Sequence, residues 1–241
     1  MASAGDGGLC RACEIRLPAA ASHACARCGL PVDLPTDLCG TCLAAPPAYD
    51  YTFAGRAYSW PLHHLVHAFK YSHAYGLASP LCAPLSDFGP PPDVFLPMPQ
   101  HPHRLRERGY DQTRLLAREL SRRHNRPMMA QACQRTRHTR AQTGLGLSER
   151  KANLKGAFTC LTGLEGLHVG IVDDVMTTGS SMQELALALR AAGVARVGCW
   201  VAARAWPART QHSQQPGDPS PHNITRQMVE QTRRNTDNPH P

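Results

Sequence analysis

Lysine is nearly missing from this sequence. Of 26 basic residues only three are Lys (Lys70, Lys151 and Lys155), so a formal charge of +8 rests on arginine. Apolar runs are short, and none approaches the eighteen residues of a membrane helix, which excludes a helical span. The opening MASAGDGGL has neither a basic nor an apolar stretch, so no secretory signal is expected and the chain is expected in the cytoplasm. Aromatic residues make up only 6%, which argues against a base-stacking platform. The phosphate loop GxxxxGK[ST] does not occur, which excludes that route to nucleotide binding. Cysteine, by contrast, is plentiful. Ten cysteines in a reducing compartment point away from disulfides and toward metal.

The arginines are not spread evenly. Residues 101–155 hold twelve Arg and two Lys against Glu107, Asp111, Glu119 and Glu149, a local balance of +10. A guanidinium presents a rigid fork of donors that matches phosphate oxygens. The expected partner is therefore polyanionic, either a nucleotide-type small molecule or nucleic acid. Three zones divide the chain. Residues 1–48 form a Cys-rich module closed by Pro46-Pro47, 49–206 carry the strand and helix patterns, and 207–241 form a tail with almost no apolar residues. Such a tail cannot bury enough surface to offset its ordering entropy and is expected to be disordered.

Within 49–206, Tyr49–Trp60 alternates loosely and suggests a hairpin. Leu62, Leu65, Val66 and Phe69 have the spacing of an amphipathic helix. Asp93–Met98 and Val169–Val172 read as buried strands, residues 111–124 as a helix, and Ser181–Ala192 as a helix stopped by Gly193. Val194–Ala203 is a further apolar, strand-like run. Strands separated by helices predict an α/β fold with a parallel sheet.

The segment VGIVDDVMTTGSS, Val169–Ser181, is the most informative. A buried strand ends in two carboxylates, Asp173 and Asp174, and then Thr177, Thr178, Gly179, Ser180 and Ser181 open a helix. Ligands of open α/β sheets bind beyond the C-terminal ends of the strands. A helix N-terminus offers unsatisfied N–H groups and partial positive charge, so Thr177–Ser181 are expected to hold a phosphate. Two acids beside that phosphate suit the vicinal hydroxyls of a sugar, or a cation.

A second stretch runs from Pro97 to Gln112 and contains Arg104, Arg106 and Arg108, spaced by two. Extended, it would bring the three guanidiniums together to grip a pyrophosphate; the plainer alternative is a solvated basic loop. Residues 126–158 read as a long polar excursion, and within its 135–158 stretch Arg137, Arg140 and Gln142 are candidate lid residues over a phosphorylated substrate.

The cysteines begin with three CxxC pairs: Cys10/Cys13, Cys25/Cys28 and Cys39/Cys42. Two pairs complete one tetrahedral zinc site, and the spacing allows either Cys25, Cys28, Cys39 and Cys42 or Cys10, Cys13, Cys25 and Cys28. A closed site of four thiolates is structural, holding together a segment too small to fold alone. Cys82, Cys133, Cys160 and Cys199 are expected to be unpaired, with Cys160 and Cys199 as core residues. His63 and His67, four apart on a helix, read as a solvated face rather than a metal site.

Val169–Ser181 resembles the phosphoribosyl pyrophosphate signature of type I phosphoribosyltransferases. The wider order PxP, RLRERGYDQ, RTRHTRAQ, ERKANLKGAF and VDDVMTTGSS resembles the ComF family, from about Cys10 to Arg204. These are phosphoribosyltransferase-like proteins linked to competence for DNA uptake, with GntX as a relative. The family usually reads RGFNQ where this chain has RGYDQ. The resemblance implies a type I phosphoribosyltransferase-like sheet behind a four-cysteine zinc ribbon, and binding of phosphoribosyl pyrophosphate with Mg²⁺. Asp173 and Asp174 would then be catalytic and Arg104, Arg106 and Arg108 would bind pyrophosphate. It also implies zinc on Cys25, Cys28, Cys39 and Cys42, with Cys10 and Cys13 as a remnant of a lost second ribbon. A different reading is an accessory protein that tracks single-stranded DNA along the Arg-rich 101–155 surface, in contact with the DNA-uptake machinery.

Overall fold

A computed structural model describes residues 9–32, 37–136, 156–161 and 163–206. Its centre is a four-stranded, wholly parallel sheet: β1 (Tyr51–Ala57), β2 (Val94–Pro97), β5 (His168–Met176) and β6 (Arg196–Arg204), in the order β1-β6-β5-β2. The two central strands are apolar on both faces, as a parallel sheet covered on both sides requires. Val172 and Trp200 face one layer, built from α3 (Leu62–Tyr71), α4 (Ala78–Cys82) and α6 (Gln112–His124). Ile171, Val197 and Cys199 face the other, where Met182, Leu185 and Leu189 of α7 (Ser180–Ala191) pack. Parallel strands require crossovers, and the helices supply them.

The hairpin expected over Tyr49–Trp60 does not form. β1 is one strand, and it pairs with β6 from Tyr51↔Gly198 to Ala57↔Arg204, nearly 150 residues away. Loose alternation with aromatics cannot distinguish a hairpin arm from an edge strand whose partner is distant. Gly198 is needed for this pairing. A Cβ there would lie 2.1 Å from Cζ of Tyr51, whose ring covers that spot and whose hydroxyl accepts a hydrogen bond from Trp200 Nε1 at 3.2 Å.

Residues 102–108 also differ from expectation. They form α5 (Pro102–Arg108), with Pro102 at its first turn and Gly109, at φ 75°, closing it by an N–H bond to the Leu105 carbonyl. Proline is tolerated in a first turn because its missing N–H would be unpaired there anyway. Asp111 then caps α6, its Oδ1 accepting from the Arg114 N–H at 3.0 Å. The acid at this position of RGYDQ thus sits at the positive end of a helix, where its charge is favoured.

A small antiparallel pair, β3 (Cys133–Arg135) and β4 (Phe158–Cys160), frames the long excursion. Cys133 and Cys160 lie opposite each other with Cα atoms 4.1 Å apart and are joined as a disulfide. The expectation that both are unpaired, with Cys160 in the core, is therefore corrected. Separation by 27 residues concealed a pair that strand register brings face to face. Cys82 and Cys199 are free and buried. The lid candidates Arg137, Arg140 and Gln142, and the whole tail from 207 to 241, lie outside the described residues.

A carboxylate pair, a helix-opening loop and a cysteine knuckle

β5 passes the end of its pairing with β2 at Val172, but Asp173 and Asp174 lie inside the strand, which stays paired with β6 through Met176, and alternation sends the two carboxylates to opposite faces. Asp174 shares the face of Val172 and meets α3, where Lys70 Nζ stands 3.0 Å from its Oδ1. It is 6% exposed and also accepts from the Val175 N–H at 2.6 Å. Lys70, which the sequence reading missed, responds in kind: burial lowers its pKa, but Asp174 outweighs that and the net shift is upward. Asp173 is half-buried and accepts from the Asp174 N–H at 2.9 Å, with no cation within salt-bridge distance among the described residues. Burial, and then the charge of Asp174, hold its carboxyl far above the usual range, at about 7. Asp174 is thus ion-paired with Lys70, whereas Asp173 takes a main-chain hydrogen bond but no ion pair among the described residues.

Thr177 and Thr178 are exposed, and Gly179 turns the chain into α7 at φ 78°. A Cβ at Gly179 would meet Met176 Cε at 2.7 Å and the Tyr49 hydroxyl at 3.1 Å. Only glycine fits this corner without strain. No side chain caps the helix at Gly179. The Ser180 N–H reaches Thr178 Oγ1 at 3.3 Å, and Thr178 and Ser180 share a hydroxyl contact of 2.8 Å. The start of a twelve-residue helix thus presents amides and hydroxyls beside the carboxylates.

The three arginines do not converge as an extended segment would have them. On α5, Arg104 and Arg108 are one turn apart and half-buried, whereas Arg106 points into solvent. Arg108 lies over the Tyr71 ring at 5.2 Å and is close enough to oppose the charge on Lys70. Arg104 is near Arg135 of β3, which in turn feels Asp173. Arg108 thus stands by Lys70 of the acidic pair, and Arg135, with Arg104 beside it, lies within reach of the Asp173 charge.

An aromatic cluster stands next to Arg108. Tyr71 and Tyr75 are 56% and 45% exposed, and Tyr75 meets Tyr110 edge-on at 4.7 Å, with His73 against both Tyr75 and Tyr110. Composition concealed it, because these rings come from two separate segments.

Cys25, Cys28, Cys39 and Cys42 place their sulfurs within 4.8 Å of one another. Of the two allowed sets this is the one that comes together. Cys42 is carried by the short helix α2 (Gly40–Ala44), which Cys39 precedes, while Cys10 and Cys13 sit apart at the start of α1 (Arg11–Ile15). The donor set suits zinc. Burial raises the thiols of Cys28, to about 11, and of Cys42, whereas main-chain N–H groups of Cys28, Cys39 and Arg27 directed at the Cys25 sulfur outweigh its burial and bring it down to about 7.

Residues 116–220 match the phosphoribosyl transferase domain family, which defines the class of this α/β sheet with its acidic strand end and helix-opening loop. Relatives over most of the chain narrow the class. The sequence is 32% identical to competence protein F of Haemophilus influenzae over 210 residues, spanning 82% of this chain and 91% of that protein. It is 34% identical to DNA utilization protein YhgH of Salmonella typhi over 222 residues, spanning 82% and 97%. The chain belongs to the competence protein F, or ComF, family. Among solved structures, a purine phosphoribosyltransferase from Pyrococcus horikoshii Ot3 covers 70% of this chain and 99% of its own at 12% identity, with a TM-score of 0.30.

Proposed function

We propose that this protein binds phosphoribosyl pyrophosphate at the end of β5 and acts as a phosphoribosyltransferase-type domain in the use of incoming DNA. The observation that carries the proposal is the uncapped start of α7 at Gly179, beside a carboxylate that lacks a cationic partner among the described residues. The family match and the names of the relatives agree with it. Thr177–Ser181 would take the 5-phosphate on main-chain N–H groups and hydroxyls. Asp173 would accept hydrogen bonds from the ribose hydroxyls, while Asp174, neutralised by Lys70, holds the strand end in place. As the bond from C1 to pyrophosphate breaks, positive charge develops on the ring, as in glycoside hydrolysis, and Asp173 opposes it. Arg104 and Arg108 would stabilise the departing pyrophosphate. A divalent cation suits Asp173, a half-buried acid without an ion pair among the described residues; when bound, Mg²⁺ would supply charge to the pyrophosphate oxygens.

Calorimetry with phosphoribosyl pyrophosphate and Mg²⁺ tests this directly. The expected result is saturable binding by the wild type and none by the double variant Asp173→Asn, Asp174→Asn. Equal affinity in both refutes the assignment.

A second reading, a single-strand binding surface, is favoured by the Tyr71, Tyr75 and Tyr110 cluster against Arg108. Exposed rings beside a guanidinium are the combination on which unpaired bases stack. The two functions are compatible on one fold.

A further inference from the structure

Arg204 closes β6 and is 3% exposed, a position where a cation is rarely found without a carboxylate. Here its hydrogen bonds run to main-chain carbonyls. Nε donates to Cys28 O at 2.7 Å; Nη1 donates to Met176 O and Ala205 O, both at 2.9 Å, and to Thr177 O. One side chain therefore spans the cysteine knuckle and the first residues of the loop that opens α7.

The surrounding contacts make this span rigid. β1 fastens the same knuckle from below, with Thr52 N donating to Ala26 O at 2.9 Å and Thr52 Oγ1 to Arg27 O at 2.5 Å. Arg27 Nη1 donates to Tyr49 O at 2.9 Å, and the Tyr49 hydroxyl borders Gly179. The Cys28 carbonyl is fixed only while the knuckle keeps its shape, and a four-cysteine segment of this size depends on its metal for that. If the knuckle opens, the Arg204 fork loses one anchor and the Met176 and Thr177 carbonyls lose a shared donor.

We propose that Arg204 is a positioning residue that couples metal loading of Cys25, Cys28, Cys39 and Cys42 to the conformation of the Met176–Ser181 loop. Its functional meaning rests on that loop being the phosphate site proposed above; the coupling itself does not. Coupling is reciprocal, so a phosphorylated sugar held by the loop must also retain the metal.

Amide hydrogen exchange on the full chain tests the coupling without any ligand. Peptides covering Met176–Ser181 are compared in zinc-loaded protein, chelator-stripped protein, and the zinc-loaded variants Arg204→Gln and Arg204→Lys. Stripping the wild type is expected to speed exchange there about fivefold or more, while α6 keeps its protection. Zinc-loaded Arg204→Gln should show the same rise with its zinc content unchanged, and stripping it should add nothing. Unchanged exchange on stripping overturns the proposal, as does a rise spread equally over α6 or the same rise on stripping Arg204→Gln. Should Arg204→Gln fail to fold, Arg204→Lys and the wild-type comparison decide. In a separate arm, ribose 5-phosphate is expected to slow zinc loss to the chelator in the wild type only. If ribose 5-phosphate does not bind while the exchange result holds, the phosphate-site reading fails and the coupling stands.

Discussion

At the scale of single residues, the two acids of one dipeptide have opposite fates because a strand alternates its faces. Asp174 gains an ammonium at 3.0 Å, whereas Asp173 feels Lys70 and Arg135 only beyond salt-bridge distance and is opposed by its neighbour's charge. The consequence for stability has a definite sign. Asp173 has a folded pKa of about 7, above its unfolded value near 4, so the native state holds the proton more tightly. Its contribution is complete below about pH 4 and is lost as pH rises through 7. Asp173→Asn should therefore raise Tm at pH 8 and leave it nearly unchanged at pH 4, while abolishing ligand binding. Thermal melts at the two pH values check this; equal shifts at both contradict it. Lys70 left a trace in the sequence, being the sole lysine outside the 151–155 run of an arginine-rich chain. What was not legible is the long-range packing of α3 on β5 that gives it a partner. Arg204 likewise ends an apolar run, and nothing local indicates which carbonyls lie at that end of the sheet.

At the scale of elements, β5 and the start of α7 were readable because strand, turn and helix are contiguous and their chemistry is local. α5 was not readable. PMPQHPHRLRER has three prolines, which suggest extended chain, yet Pro102 falls in the one turn that accepts it and Gly109 ends the helix that Pro102 has begun. The difference is measurable in ligand affinity. With the segment helical, Arg104→Ala and Arg108→Ala should each weaken binding of phosphoribosyl pyrophosphate by about tenfold, the scale of one charged hydrogen bond, and Arg106→Ala by less than about twofold. Titrations in which all three substitutions act alike would favour a converged, extended cluster instead. β1 and the Cys133–Cys160 link failed for a related reason, since both depend on partners that sequence spacing does not reveal.

At the scale of the whole molecule, the protein brings three chemistries to one end of a parallel sheet: a carboxylate pair, a helix-opening loop and an arginine–tyrosine face, with a cysteine knuckle tied behind them. The charge excess of residues 101–155 was plain in composition, whereas the tyrosines beside it were not, because Tyr71 and Tyr75 precede that stretch by about thirty residues. If that face binds single strands, the logarithm of affinity should fall linearly with the logarithm of salt concentration. Tyr71→Ala with Tyr75→Ala should then weaken binding by on the order of tenfold, the loss of one base stack, without changing the salt slope. A changed slope with unchanged affinity at fixed salt would remove the aromatic face from the account.

Because the proposed site is defined by where the sugar phosphate lies, a crystal structure of the protein with phosphoribosyl pyrophosphate and Mg²⁺ tests it. The 5-phosphate is expected on the N–H groups between Thr177 and Ser181, with ribose hydroxyls on Asp173 and pyrophosphate toward Arg104 and Arg108. A ligand bound elsewhere, with the loop closed on itself and Asp173 untouched, would contradict it.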